Sequence, residues 1–75
     1  MAAWEWRPRY ADGGGKLDVW VSWRDVERIL GHEHQGTEAE DRQVAEALVA
    51  SGAPAWVRAA NVWHDENGMG FEGPD

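Results

Sequence analysis

The sequence predicts an α+β fold: a small antiparallel sheet of three to four strands with two helices on one face, in the order β-β-α-α-β-β. Three observations point there. Short alternating runs near both ends have the two-residue period of strands, as in Trp4-Glu5-Trp6-Arg7 and Leu17-Asp18-Val19-Trp20-Val21-Ser22. The middle holds two segments with apolar residues at three- and four-residue steps, each opened by a capping signal. The connections are short, so each helix must lay its apolar stripe on the neighbouring sheet. At 75 residues the chain forms one domain, 1–75.

Residues 3–10 read as the first strand, and Pro8 marks it as an edge strand because proline has no amide to donate. Asp12-Gly13-Gly14-Gly15 reads as a hairpin turn. In the second strand, 17–22, Leu17, Val19 and Val21 share one face, and Asp18, Trp20 and Ser22 share the other. Ser22 and Asp25 then open a helix over 23–30, with Trp23, Val26, Ile29 and Leu30 as its stripe and Gly31 as its C-terminal glycine. Thr37 and Glu40 form a full capping-box pair and open a second helix over 38–50, whose stripe is Val44, Ala47 and Leu48. Ser51-Gly52-Ala53-Pro54 ends it. Residues 55–64, rich in Trp and Val, read as a strand bent at Ala59-Ala60. Asn67-Gly68 suggests a two-residue type I′ turn that pairs Glu66 with Met69 and His64 with Phe71. The last strand runs over Met69 to Glu72, and the end at Gly73-Pro74-Asp75 is expected to fray.

A chain of this length buries only about 60% of its unfolded surface, which makes a small core. There is no cysteine to staple it, but there are six tryptophans. Each can bury roughly 150–250 Å², so they supply what a few aliphatic residues cannot. The absence of cysteine, of a signal-peptide pattern and of a long apolar run leads to the expectation of a soluble cytoplasmic protein.

The charge is uneven. Through residue 28, Arg7, Arg9, Lys16, Arg24 and Arg28 balance Glu5, Asp12, Asp18, Asp25 and Glu27. Beyond it, only Arg42 and Arg58 oppose Glu33, Glu38, Glu40, Asp41, Glu46, Asp65, Glu66, Glu72 and Asp75, which accounts for the whole net charge of -7. Such a field repels nucleic acid and anionic membranes and attracts basic protein surfaces. Glu33, Glu38, Glu40 and Asp41 form one cluster; Asp65, Glu66 and Glu72 form another. Glu38 and Asp41 are three apart on a helix, with Cβ atoms roughly 5–6 Å apart, comparable to the phosphate step along a strand. If both clusters face one side, they imitate a phosphate track. The plain alternative is a solubilising acidic face.

Enzymatic motifs are absent: there is no cysteine nucleophile, G-x-S-x-G, Walker loop or H-E-x-x-H. The reading is therefore not an enzyme, with no catalytic residue and no cofactor. His32-x-His34 and His64-Asp65 have ligand chemistry, but no spacing fixes a third ligand, so no metal is expected and solvated loop histidines are the simpler reading.

Size, acidity and the lack of a motif make the chain resemble small phage-encoded inhibitors of the anti-CRISPR kind. The resemblance implies an acidic protein that blocks the DNA channel of a Cascade-type complex, type I and specifically type I-C, in the host bacterial cytoplasm. It assigns no residues. From the charge argument, Glu33, Glu38, Glu40, Asp41, Asp65 and Glu66 would contact a basic nucleic-acid-binding partner, and Trp20 would be an apolar anchor. The expected partner is a protein or complex, with neither nucleic acid nor membrane bound directly and the chain itself a monomer. The competing reading is a regulatory or structural interaction module docking through Trp4, Trp20 or Trp56.

Overall fold

The computed structural model describes residues 6–10 and 17–73. The predicted strand residues 3–5, the hairpin turn at Asp12-Gly13-Gly14-Gly15 and the end at Pro74-Asp75 lie outside the described residues, as does Trp4. Strand β1 spans Arg7–Tyr10 and β2 spans Leu17–Ser22. Helix α1 spans Trp23–Leu30 and α2 spans Glu38–Ala50. A 3₁₀ helix, Ala55–Ala59, precedes β3 (Val62–His64) and β4 (Gly68–Phe71). The sheet is antiparallel throughout, in the order β1-β2-β4-β3. The α+β class and both helices thus match the sequence reading, and proline-bearing β1 lies at an edge.

The period-two pattern of β2 and β4 sorts their side chains. Val19, Val21, Met69 and Phe71 point into the core, where they meet Val26 and Leu30 of α1 and Val44, Ala45 and Leu48 of α2. Both helices therefore cover the same sheet face. On the other face lie Trp20, Trp63, Gly68 and Gly70. A Cβ added at Gly70 would strike the Trp63 ring, and one at Gly68 would strike the Val21 carbonyl and touch Trp20. The glycines of β4 thus make room for tryptophans from its two neighbours. Asp18, also on this side and buried, accepts a hydrogen bond from the Gly73 amide at 3.0 Å.

Two sequence expectations are corrected. Residues 55–59 form a 3₁₀ helix instead of a strand. Pro54 starts it, and the Val57 amide donates to the Pro54 carbonyl while the Ala60 amide donates to the Val57 carbonyl. Val57, Ala60 and Trp56 pack on the core, with Val57 and Ala60 three apart on the tighter helix. The terminal hairpin is also not a two-residue type I′ turn. His64 pairs with Met69, Trp63 with Gly70 and Val62 with Phe71. A type I′ turn needs positive φ at both central residues, and among the described residues only Gly31, Gly36 and Gly52 have it. Asp65 supplies the turn instead: its Oδ1 accepts from the amides of Asn67 (2.7 Å) and Gly68 (2.9 Å). The register differs from the expected one by two residues, so Met69 and Phe71 keep the core face.

Candidate functional site

Both helix starts contribute to the site, and each is set by local chemistry. Ser22 caps α1, accepting from the Asp25 amide at 3.3 Å. This fixes Trp23 as the first helical residue, beside the β3–β4 turn. The Trp23 amide donates to the Asn67 carbonyl at 3.2 Å, and its indole Nε1 donates to the Asp65 carbonyl at 2.7 Å.

Thr37 caps α2 in a complete capping box. The Thr37 hydroxyl accepts from the Glu40 amide, while the Glu40 carboxylate accepts from the Thr37 amide and hydroxyl at 3.0 and 2.8 Å. Both Glu40 oxygens also accept from the Gln35 amide at 3.0 Å. Burial raises the cost of the Glu40 charge, but the hydrogen bonds from Thr37 and Gln35, with His34 nearby, outweigh it. They lower the carboxyl from 4.5 to about 2. Glu40 thereby folds residues 35–37 onto the helix start, and Gly36, at φ 85°, makes the bend.

That bend delivers His34 to Asp41. His34 Nε2 lies 2.8 Å from Asp41 Oδ1, and His64 Nε2, arriving from β3, lies 3.3 Å from the same oxygen. The Gly36 amide donates to His34 Nδ1 at 3.1 Å. An amide can only donate, so Nδ1 carries the lone pair and Nε2 carries the proton given to Asp41. The Trp23 ring lies against both imidazoles, with centroids 5.3 Å from His34 and 5.7 Å from His64, the latter stacked. The side chains of His34 and Asp41 are 10% and 17% exposed, whereas that of His64 is 41% exposed. The cluster is therefore open on the His64 side. Trp23, Glu27, Glu33, His34, Gln35, Gly36 and His64 line a shallow depression there. Two imidazoles and a carboxylate can hold a divalent metal, and their donor atoms lie within 4.8 Å of one another.

The contact between Asp41 and His64 joins the start of α2 to the β3–β4 hairpin, whose turn carries Asp65 and Glu66. Their members differ in what else they do. Glu33, Glu38 and Glu66 are exposed, and no carboxylate contact engages them among the described residues. Asp41 is held by two histidines, Asp65 shapes its turn, and Glu40 is buried in its capping box. Arg58 pairs with Glu46 at 3.0 Å, and Arg42 lines a second depression beside Glu38 and Asp41. Trp20 sits half-buried on the helix-free sheet face, and Trp56 packs against the core. The aromatic ring within the acidic surface is Trp23.

Trp23, Glu27 and the pairing of His34 with His64 were missed from sequence. The histidines come from two different local pairs, and only the fold selects one of each. His32 turns aside, its Nδ1 2.8 Å from the Glu33 carbonyl oxygen. Among the described residues no helix is long and apolar enough to cross a membrane. No family model matches the chain, and no curated protein or solved structure is significantly similar to it.

Proposed function

We propose that this chain is an inhibitory binding protein whose acidic face occupies the basic nucleic-acid groove of a partner and competes with DNA. The observation that supports the reading is the Asp41–His64 contact, which brings the start of α2 to the hairpin that bears Asp65 and Glu66. Glu33, Glu38 and Glu66 supply exposed charge, and Asp41 and Asp65 supply charge held in fixed positions. Fixed carboxylates suit mimicry of a phosphate track because little ordering entropy remains to be lost on binding. The resemblance in size and charge to anti-CRISPR inhibitors makes a type I Cascade complex, type I-C first, the target to try. A cytoplasmic location follows from that target.

The test is capture from bacterial lysate and competition with labelled DNA, using the native chain and a variant carrying Glu33→Lys, Glu38→Lys and Glu66→Lys. These three positions leave the capping box and the histidine cluster intact. The expected result is a nucleic-acid-binding partner held by the native chain alone, with affinity falling as salt rises, because exposed charges are screened over about 8 Å at physiological ionic strength. Equal capture by both baits, or affinity indifferent to salt, removes the electrostatic reading. That outcome would favour docking through tryptophans, for which Trp20 and Trp63 on the helix-free sheet face are the supporting observation.

A further inference from the structure

We infer that His34, Asp41 and His64 form a binding site for a divalent metal ion of the zinc class, with one coordination position open to the adjoining depression. This stands apart from the acidic-mimic reading, since it concerns the cluster's donor atoms and not its net field.

Three arguments support it. The donor set of two imidazole nitrogens and one carboxylate oxygen is that of many three-ligand zinc sites that keep a fourth position for water. The spacing also fits: bonds of 2.0–2.1 Å in a tetrahedron put ligand atoms about 3.4 Å apart. Here Asp41 Oδ1 is 2.8 Å from His34 Nε2 and 3.3 Å from His64 Nε2. The two imidazole nitrogens lie within 4.8 Å of each other, so side-chain adjustments of about an ångström would seat an ion among the three. Finally, the three residues come from separate elements: the loop before α2, its first turn, and β3. A metal would pin the three together, and the Trp23 ring already backs both imidazoles.

Binding has a chemical signature. Without metal, both Nε2 atoms carry the protons given to Asp41. Metal at Nε2 requires the ring to carry its proton on Nδ1 instead. For His34 that ends the bond from the Gly36 amide, because Nδ1–H can no longer accept. Occupancy therefore switches the His34 tautomer and frees the Gly36 amide.

The experiment is titration of the full chain with zinc by calorimetry, with cobalt(II) absorption as a second probe and ¹⁵N spectra of the histidine rings as a third. One equivalent should bind, the His34 and His64 rings should pass from the Nε2–H to the Nδ1–H tautomer, and the Gly36 amide should shift. His64→Ala should weaken binding at least tenfold; its exposed ring makes the variant safe for folding. Asp41→Asn, which keeps a hydrogen-bond acceptor but not the charge, should do the same. His32→Ala should leave affinity unchanged. Absence of saturable binding, undiminished affinity in His64→Ala, or an unchanged His34 tautomer at full occupancy would each overturn the site.

Discussion

The two helices of this protein begin with the same signal and are held in different ways. At α1, Ser22 accepts from the Asp25 amide, and the short Asp25 side chain answers the Ser22 hydroxyl, both at 3.3 Å, and pairs with Arg28 one turn on at 3.5 Å, without reaching back past the cap. The next amide, that of Trp23, is satisfied from far along the chain by the Asn67 carbonyl. At α2, Thr37 and Glu40 close a full box, and the longer Glu40 side chain also gathers the Gln35 amide. The start of α1 is thus secured largely by the β3–β4 turn beside it, and that of α2 by its own side chains. One methylene separates the two cases: only glutamate reaches the backbone ahead of the cap.

Substitutions at the two starts should therefore differ in effect. The largest loss is expected for Glu40→Gln, which leaves the Gln35 and Thr37 donors facing a neutral amide. Because the folded carboxyl is lowered to about 2 from 4.5, its stabilisation is complete above about pH 4.5 and disappears as pH falls toward 2. Urea midpoints of the native chain should drop through that window, and those of Glu40→Gln should change less. Parallel pH curves would mean that the carboxylate does not stabilise the fold. Thr37→Ala comes next, at about 1–2 kcal/mol by equilibrium unfolding at neutral pH, since it removes a cap and a donor to Glu40. Ser22→Ala should cost about 0.5 kcal/mol, because Asn67 still holds the first turn; a cost matching that of Thr37→Ala would dissolve the contrast.

The same local signals explain what could be read from sequence. Ser22, Gly31, Thr37 and Glu40 mark both helices to the residue, because caps are short-range chemistry. The run 55–59 was misread as a strand because Trp56 and Val57 suit a strand or a buried 3₁₀ turn, and Pro54 decided between them. The hairpin register was misread because Asn67-Gly68 drew attention from Asp65, whose side chain builds the turn. In the candidate site, the acidic regions were legible but their division of labour was not. The Thr37/Glu40 spacing that marks the start of α2 also means that the Glu40 carboxylate is occupied by its cap and is not free surface charge. His34 meets His64 across thirty positions of chain, and no local pattern encodes that meeting. It depends on Gly36 bending one way and β3 pairing with β4 in one register.

The glycines under Trp20 and Trp63 carry a consequence for sequence change over time. Strand β4 has given up side-chain volume on one face, and its neighbours have filled it, so Gly70 and the Trp63 ring above it form a single unit split between two strands. A larger residue at Gly70 would need a smaller one at Trp63, whereas at Gly68 the Val21 backbone carbonyl bars any side chain whatever stands at Trp20. Drift at Gly70 should proceed by paired exchange with Trp63, so that covariation in descendants of this sequence would report the β4-β3 pairing without a coordinate in hand, while Gly68 should stay fixed.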